Sequence, residues 1–351
     1  MDWLLVMWIA LLIVGLVLLV KGADWFVDGS AGIAHKAKIP PLIIGLTVVA
    51  FGTSAPELAV SVTGAIQGST DIAVGNVVGR NIANILLILG VASLIRKLPV
   101  QRNSLTLDLP VLLVSGALLI GLGVWGNKIV WWEGLILLAV LAAYMTVLLV
   151  RAKKELKAQK LNPPEQRPLE SPDPEPEKKP KKPKGKVKLW FEGMCDKLWF
   201  CIILALVGLG MVVGGGVLFV DGAKYIAAKL GASERVIGLT VVAIGTSLPE
   251  LVTSVVAVAK GETDIAVGNI IGSNIFNILL IAGTASLFAG AGGLAFTIKG
   301  NLVDALVAFG ASVLLYVFAL FDKRRLGIPA GVVFLSFYIA YYVYLFLMPV
   351  A

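Results

Sequence analysis

The 351-residue chain holds one histidine, His35, and two cysteines, Cys195 and Cys201. Two thiols are too few for a soft-metal cluster, and a disulfide between them is not expected in a cytosolic segment. His35 sits in a short loop and takes no role. No nucleophile–base pair appears, so an enzyme is not expected. Charged residues make up only 15% of the chain, against about 25% in a typical soluble domain. No long stretch alternates polar and apolar residues, so no separate soluble domain is expected. The N-terminus from Trp3 to Val20 lacks a basic leader and its apolar character runs on, so it reads as a mature first span.

What the chain does have is apolar length. Hydrophobic residues reach 58% and the mean hydropathy is +0.90, the composition of an integral membrane protein. Spans of about 20 residues fall at 3–34, 41–66, 70–94, 104–124 and 129–150, then at 198–229, 235–259, 263–288, 301–320 and 328–348. Residues 1–150 therefore form one five-helix unit and 198–351 a second, with a linker at 151–197. The linker holds eight of the 16 prolines, interleaved with Lys and Glu, and is expected to be extended or disordered. It carries 14 Lys or Arg against 8 Asp or Glu, most of the net charge of +8. That surplus marks a cytoplasmic loop with some attraction to anionic lipid, not a nucleic-acid surface. With Lys36, Lys38, Arg96, Lys97, Arg102 and Lys323 to Arg325 on the same side, the N-terminus is placed outside and the linker inside. Lys224, Lys229 and Arg235 in one outer loop are the exception.

The two units are copies. Residues 44–94 and 237–287 are identical at 35 of 51 positions without a gap, at a fixed offset of 193. Convergence does not produce such a match; duplication does. Five spans is an odd number, so the second copy enters the membrane upside down, and the expected architecture is all-α with ten transmembrane helices as two inverted five-helix repeats. Such repeats meet at a binding site near the bilayer midplane.

Within the repeat, Gly52-Thr53-Ser54-Ala55-Pro56-Glu57 returns as Gly245-Thr246-Ser247-Leu248-Pro249-Glu250. Each places a carboxylate in hydrocarbon, which costs roughly 2.5–3.5 kcal/mol even on the lenient insertion scale. The simplest partner for two such charges is a cation. Pro56 and Pro249 each remove a backbone N–H. They are expected to distort the turn and free the carbonyls of Gly52 and Gly245, with those of Ala50, Thr53 and their mates nearby. Thr53, Ser54, Thr246 and Ser247 add hydroxyls, and Glu57 and Glu250 add charge. An all-oxygen set selects hard ions such as calcium or sodium. The second motif, Gly75-Asn76 through Asn84 and Gly268-Asn269 through Asn277, puts Arg80 with Asn84 and Ser273 with Asn277 on shared helix faces. Asn84 and Asn277 could ligate the ion or only bond neighbouring helices.

GTSxPE followed by GNxxGxNxxN, twice over, resembles the two alpha-repeats of the sodium/calcium exchanger family, within the cation/calcium antiporters, in its prokaryotic form. The resemblance covers both halves. It implies a site built by helices 2, 3, 7 and 8, and exchange of calcium for sodium by alternating access in a cell (inner) membrane, with helices 1 and 6 sliding. It implies a monomer with no cofactor beyond the transported ions. By position the ligands would be Glu57, Glu250, the hydroxyls or carbonyls of Thr53, Ser54, Thr246 and Ser247, the carbonyls of Ala50 and Ala243, and Ser273, Asn84 and Asn277. Two departures stand out. Arg80 replaces the family's small serine in the first repeat, and Asn277 stands where some members have aspartate. Glu57 and Glu250 bring −2 and Arg80 +1, leaving −1, which is poor for holding several sodium ions. Arg80 is read as a tethered cation in place of one sodium, with sodium coupling reduced or lost. A proton-coupled or sodium-independent calcium exchanger is the alternative, and a cation channel the more distant one.

Of the remaining polar residues, Asp28 and Asp221 match across the repeat and are read as helix-end or interfacial groups, with the lining of an ion path as the alternative. Asp71 and Asp264 are read as helix caps, and Asp24 has no mate. Trp3, Trp8, Trp131, Trp132, Tyr341 and Tyr342 are read as an interfacial belt.

Overall fold

The computed structural model describes residues 3–161, 197–231, 245, 247–321 and 324–347. Nearly everything described is helical. The spans are α1 (Trp3–Ala37), α2 (Pro41–Ile66), α3 (Ala73–Ile95), α4 (Ser104–Gly126) and α5 (Trp131–Leu161) in the first half. The second half has α6 (Leu198–Lys229), α7 (Leu248–Lys260), α8 (Thr263–Phe288), α9 (Gly300–Leu320) and α10 (Ile328–Leu347). Nine of these are long and apolar enough to cross a membrane, and α7 is the described part of the tenth. Helix α5 runs on to Leu161, so the first residues of the linker continue the helix instead of being extended. Cys195 and most of the linker lie outside the described residues.

Helix ends follow local chemistry. Gly68 and Gly261, repeat mates, stop α2 and α7 in left-handed conformations at φ 81° and 88°, where a side chain would be strained. Helices α3 and α8 lie at the centre, and α8 is almost wholly enclosed. Among the described residues five π turns open or interrupt the spans, at Gly45–Val49, Ala83–Leu89, Ser104–Asp108, Asn277–Ala282 and Ile298–Leu302. Two of them open at or beside Asn84 and Asn277, and such turns collect at functional sites.

Four short strands reveal the inversion. β1 (Leu98–Pro99) follows α3, β2 (Lys128–Ile129) follows α4, β3 (Leu294–Ala295) follows α8 and β4 (Arg325–Leu326) follows α9. Since α4 crosses the membrane, β1 and β2 lie on opposite faces. β1 pairs antiparallel with β4, Leu98 against Leu326, and β2 with β3, Lys128 against Ala295. By order β3 is the counterpart of β1, yet it lies on the face of β2. Equivalent loops thus occupy opposite faces, and the fold is two inverted five-helix repeats.

Helices α1 and α6 pack along a glycine seam. A Cβ on Gly22 would stand 2.7 Å from Val212 N and 2.8 Å from Gly208 O, and one on Gly215 2.7 Å from Leu19 N. Backbones this close exclude any side chain at the contact. Gly45 and Gly268 do the same for α2 and α8, where an added Cβ would meet Ile265 O or Leu42 O at 2.6 Å. This second contact brings the GTSxPE turn of one half against the GNxxGxN turn of the other.

Candidate cation site

Arg80, from α3, bridges the two glutamates. Its Nη1 lies 2.9 Å from Glu57 Oε1 on α2, and its Nη2 2.7 Å from Glu250 Oε1 on α7. The three residues are almost closed off, at 3%, 6% and 1% exposure respectively. A guanidinium cannot release its proton. Two carboxylates and one guanidinium therefore leave one negative charge in a buried centre. Breaking such a buried pair by removing one partner costs about 3–5 kcal/mol. Among the described residues no group of three or more His, Cys, Asp or Glu side chains gathers as a metal cluster, so the negative charge of the centre is that of this pair.

A polar framework surrounds the triad. The Thr53 hydroxyl lies 3.2 Å from Val49 O, 3.4 Å from Ala50 O and 3.3 Å from Asn269 Oδ1. Asn269 donates to Ser254 Oγ at 3.0 Å, and its repeat mate Asn76 donates to Ser61 Oγ, also at 3.0 Å. The Ser273 hydroxyl reaches Asn269 Oδ1 at 3.5 Å. Across the repeat axis Asn277 Nδ2 donates to Asn81 Oδ1 at 3.0 Å, and Asn81 Nδ2 to Asn274 O at 3.3 Å. Asn76, Asn269, Asn81, Asn274, Ser61 and Ser254 were not among the expected site residues. Four of them stand inside the quoted asparagine motif, and that repeat was the available signal.

Several buried oxygens have no hydrogen-bond partner of acceptable geometry among the described residues. They are Glu57 Oε2, Glu250 Oε2, Ser54 Oγ, Ser247 Oγ, Asn84 Oδ1 and Asn277 Oδ1. Buried acceptors are normally satisfied. Oxygens of this kind, on α2, α3, α7 and α8 and at the entry to α7, are the ligands a hard cation takes.

The two proline segments differ. Helix α2 continues without a break from Ala50 to Ile66 through Pro56, so the expected distortion of that turn is absent. Gly52 O still lacks the donor that proline cannot supply. In the second half Ser247 is non-helical, at φ −94° and ψ 2°, and α7 starts after it with Pro249 in the first turn, where proline is tolerated. Ala243 and Thr246 lie outside the described residues.

A cavity of about 220 Å³ reaches the centre. Glu57, Arg80, Pro249 and Gly245 line its floor, and Asp221 and Lys224 of α6 also border it. Asp221 thus belongs to the approach, in a 3.6 Å pair with Lys224. Its mate Asp28 does something else. Lys260, ending α7, lies 2.6 Å from both Asp24 and Asp28 of α1 and donates to Asp24 O at 2.9 Å. Neighbouring Glu262 is held above the usual carboxylate range by burial, then by Asp264 and Asp28, against the pull of Lys260. Asp264 is in the first turn of α8, where a carboxylate favours the helix N-terminus, and it also accepts from Gln101 at 2.8 Å. Tyr341 and Tyr342 do not form only a belt. They line a cavity beside Arg80, and Tyr341 donates to Asp304 at 2.9 Å.

Comparison with known proteins agrees with this architecture. The family model described as "Sodium/calcium exchanger protein" matches residues 7–150 and 200–347. The "Sodium/calcium exchanger MaX1" of Methanosarcina acetivorans is 35% identical over 96% of this chain and 97% of its own length. The "Inner membrane protein YrbG" of Escherichia coli is 38% identical over 79% of each chain. A structure of the sodium-calcium exchanger NCX_Mj superposes with a TM-score of 0.77 at 30% identity, covering 97% of this chain and 99% of that one. With the inverted repeats, the paired glutamates and these matches in hand, the chain belongs to the sodium/calcium exchanger protein family.

Proposed function

We propose that this chain is a transporter that exchanges calcium for another cation by alternating access, with sodium coupling reduced or lost because Arg80 stands in for one sodium ion. The observation that carries the reading is the double bridge from Arg80 to Glu57 and Glu250. A tethered cation already satisfies part of the charge that several sodium ions would share. Calcium, with two charges, competes for the glutamates better than sodium does. The orphaned oxygens of Ser54, Ser247, Asn84 and Asn277 supply neutral ligands, Glu57 and Glu250 the charged ones. Ser273, Thr53, Thr246 and the carbonyls of Ala50 and Ala243 complete the proposed set. Family membership supports sodium and calcium as cargo and a transporter instead of an enzyme.

On this reading each half, 1–150 and 198–351, supplies one side of the site, and the 151–197 linker is a cytoplasmic tether in an inner-membrane monomer with its N-terminus outside. Calcium flux is measured in proteoliposomes with sodium, protons and potassium as counter-ions in turn, for this chain and for Arg80→Ser. The expected result is flux that depends weakly or not at all on a sodium gradient, with sodium dependence gained in Arg80→Ser. Equal sodium stoichiometry in both proteins sinks the reading. A steep pH dependence without sodium assigns the proton as counter-ion.

A further inference from the structure

Arg80 lines two cavities. One is the approach to the glutamates. The other, about 170 Å³, lies between α3 and α10 and is bordered by Asn76, Arg80, Tyr338, Tyr341 and Tyr342. That space is well above the roughly 15 Å³ that one water needs. Its chemistry suits a cation. The rings of Tyr338 and Tyr342 sit 4.8 Å apart, and Tyr341 and Tyr342 meet edge to face at 6.0 Å. Tyrosine ring faces attract a guanidinium. The Tyr338 hydroxyl is buried at the cavity wall, and its oxygen is an acceptor for a guanidinium N–H.

The need for a second position follows from charge. Calcium held by both glutamates would share the space of a guanidinium 2.9 and 2.7 Å from their oxygens. Like charges that close repel strongly in a low-dielectric centre. Arg80 cannot lose its proton and cannot enter lipid cheaply. It must move to a polar or aromatic place within reach of α3.

We propose that the tyrosine-lined cavity is the seat that takes the Arg80 guanidinium while calcium occupies Glu57 and Glu250, and that Tyr338 is the positioning residue for this exchange. This rests on the tethered-cation reading of Arg80. The arginine then cycles inside the protein, between glutamates and tyrosines, opposite in phase to calcium.

A double-mutant cycle tests it. Calcium affinity is measured by calorimetry without sodium for the intact chain, Tyr338→Leu, Arg80→Ser and the double variant. Tyr338→Leu is expected to weaken calcium binding about tenfold where Arg80 is present, and less than twofold beside Arg80→Ser. Tyr338→Phe, which keeps the ring, is expected to show the same pattern with about a threefold loss. An equal loss in both backgrounds makes Tyr338 merely structural and overturns the proposal, as does no loss in either. Because sodium is absent, this cycle can fail while altered sodium coupling stands, and the sodium-gradient assay can fail while the cycle holds.

Discussion

At the scale of residues the centre is a charge triad in which every member depends on the other two. Replacing Glu57 or Glu250 by Gln leaves Arg80 buried with half its counter-charge. Arg80 stays paired with the remaining carboxylate, so each variant is expected to lose calcium flux by at least about 100-fold while its denaturant midpoint in detergent falls by less than the roughly 3–5 kcal/mol that an uncompensated buried charge costs. Arg80→Ser acts in the opposite sense. Two carboxylates then face each other without a cation, so the protein is expected to be less stable in chelator and to recover with calcium. Calcium at 100 times its dissociation constant adds about 2.7 kcal/mol. A thermal midpoint unmoved by calcium in that variant would show that the glutamates do not share an ion. Glu57, Glu250 and Arg80 were legible from sequence, because charges in hydrocarbon are rare enough to stand out. The asparagine framework was only half legible. Asn269 meets Ser254 on the preceding helix, as Asn76 meets Ser61 in the first repeat. It meets Thr53 through packing of helices 216 positions apart, and no local pattern encodes that second meeting.

At the scale of elements, the α1–α6 seam is a backbone contact between two long antiparallel helices. A methyl group at Gly22 would stand 2.7–2.8 Å from main-chain atoms of α6. Gly22→Ala is therefore expected to cost about 1–3 kcal/mol and, under the proposed alternating access, in which the pair slides together against the remaining bundle, to slow transport as well. Unchanged flux together with unchanged stability would mean that the seam opens freely. The tie from Lys260 to Asp24 and Asp28 joins α7 to the same α1, with its groups partly exposed. Pairs of this kind contribute about 0–1 kcal/mol. Lys260→Gln is expected to leave the thermal midpoint nearly unchanged but to alter the calcium flux rate at low salt, with the difference fading as salt screens the pair. Sequence reading gave Asp24 no mate and Asp28 a helix-end role, because Gln67 and Val217 occupy the symmetric positions of Lys260 and Asp24. The bond exists on one side only, so repeat logic could not find it. Pro56 misled in the other direction. Proline alone does not say whether a helix breaks, and here the helix runs on from Ala50 to Ile66 through Pro56.

At the scale of the whole molecule, ten spans and their inversion were readable from hydropathy and from the odd number of helices per repeat. The observed helices lie within a few residues of those expected, apart from the extension of α5 to Leu161 and the part of the seventh span outside the described residues. Membrane proteins allow this, because length and apolarity alone select the spanning helix. What hydropathy cannot carry is which loops meet. The ladders β1–β4 and β2–β3 each join a loop of one half to a loop of the other, and among the described residues none forms within a half. Two copies of a single half, inserted in opposite orientations, could form both ladders and the seam of α1 with α6. The molecule is in effect a homodimer whose subunits have been joined end to end. Coexpressed as separate polypeptides, cut within the 162–196 segment, the halves should reassemble into a working exchanger, while neither half alone has an edge to close on.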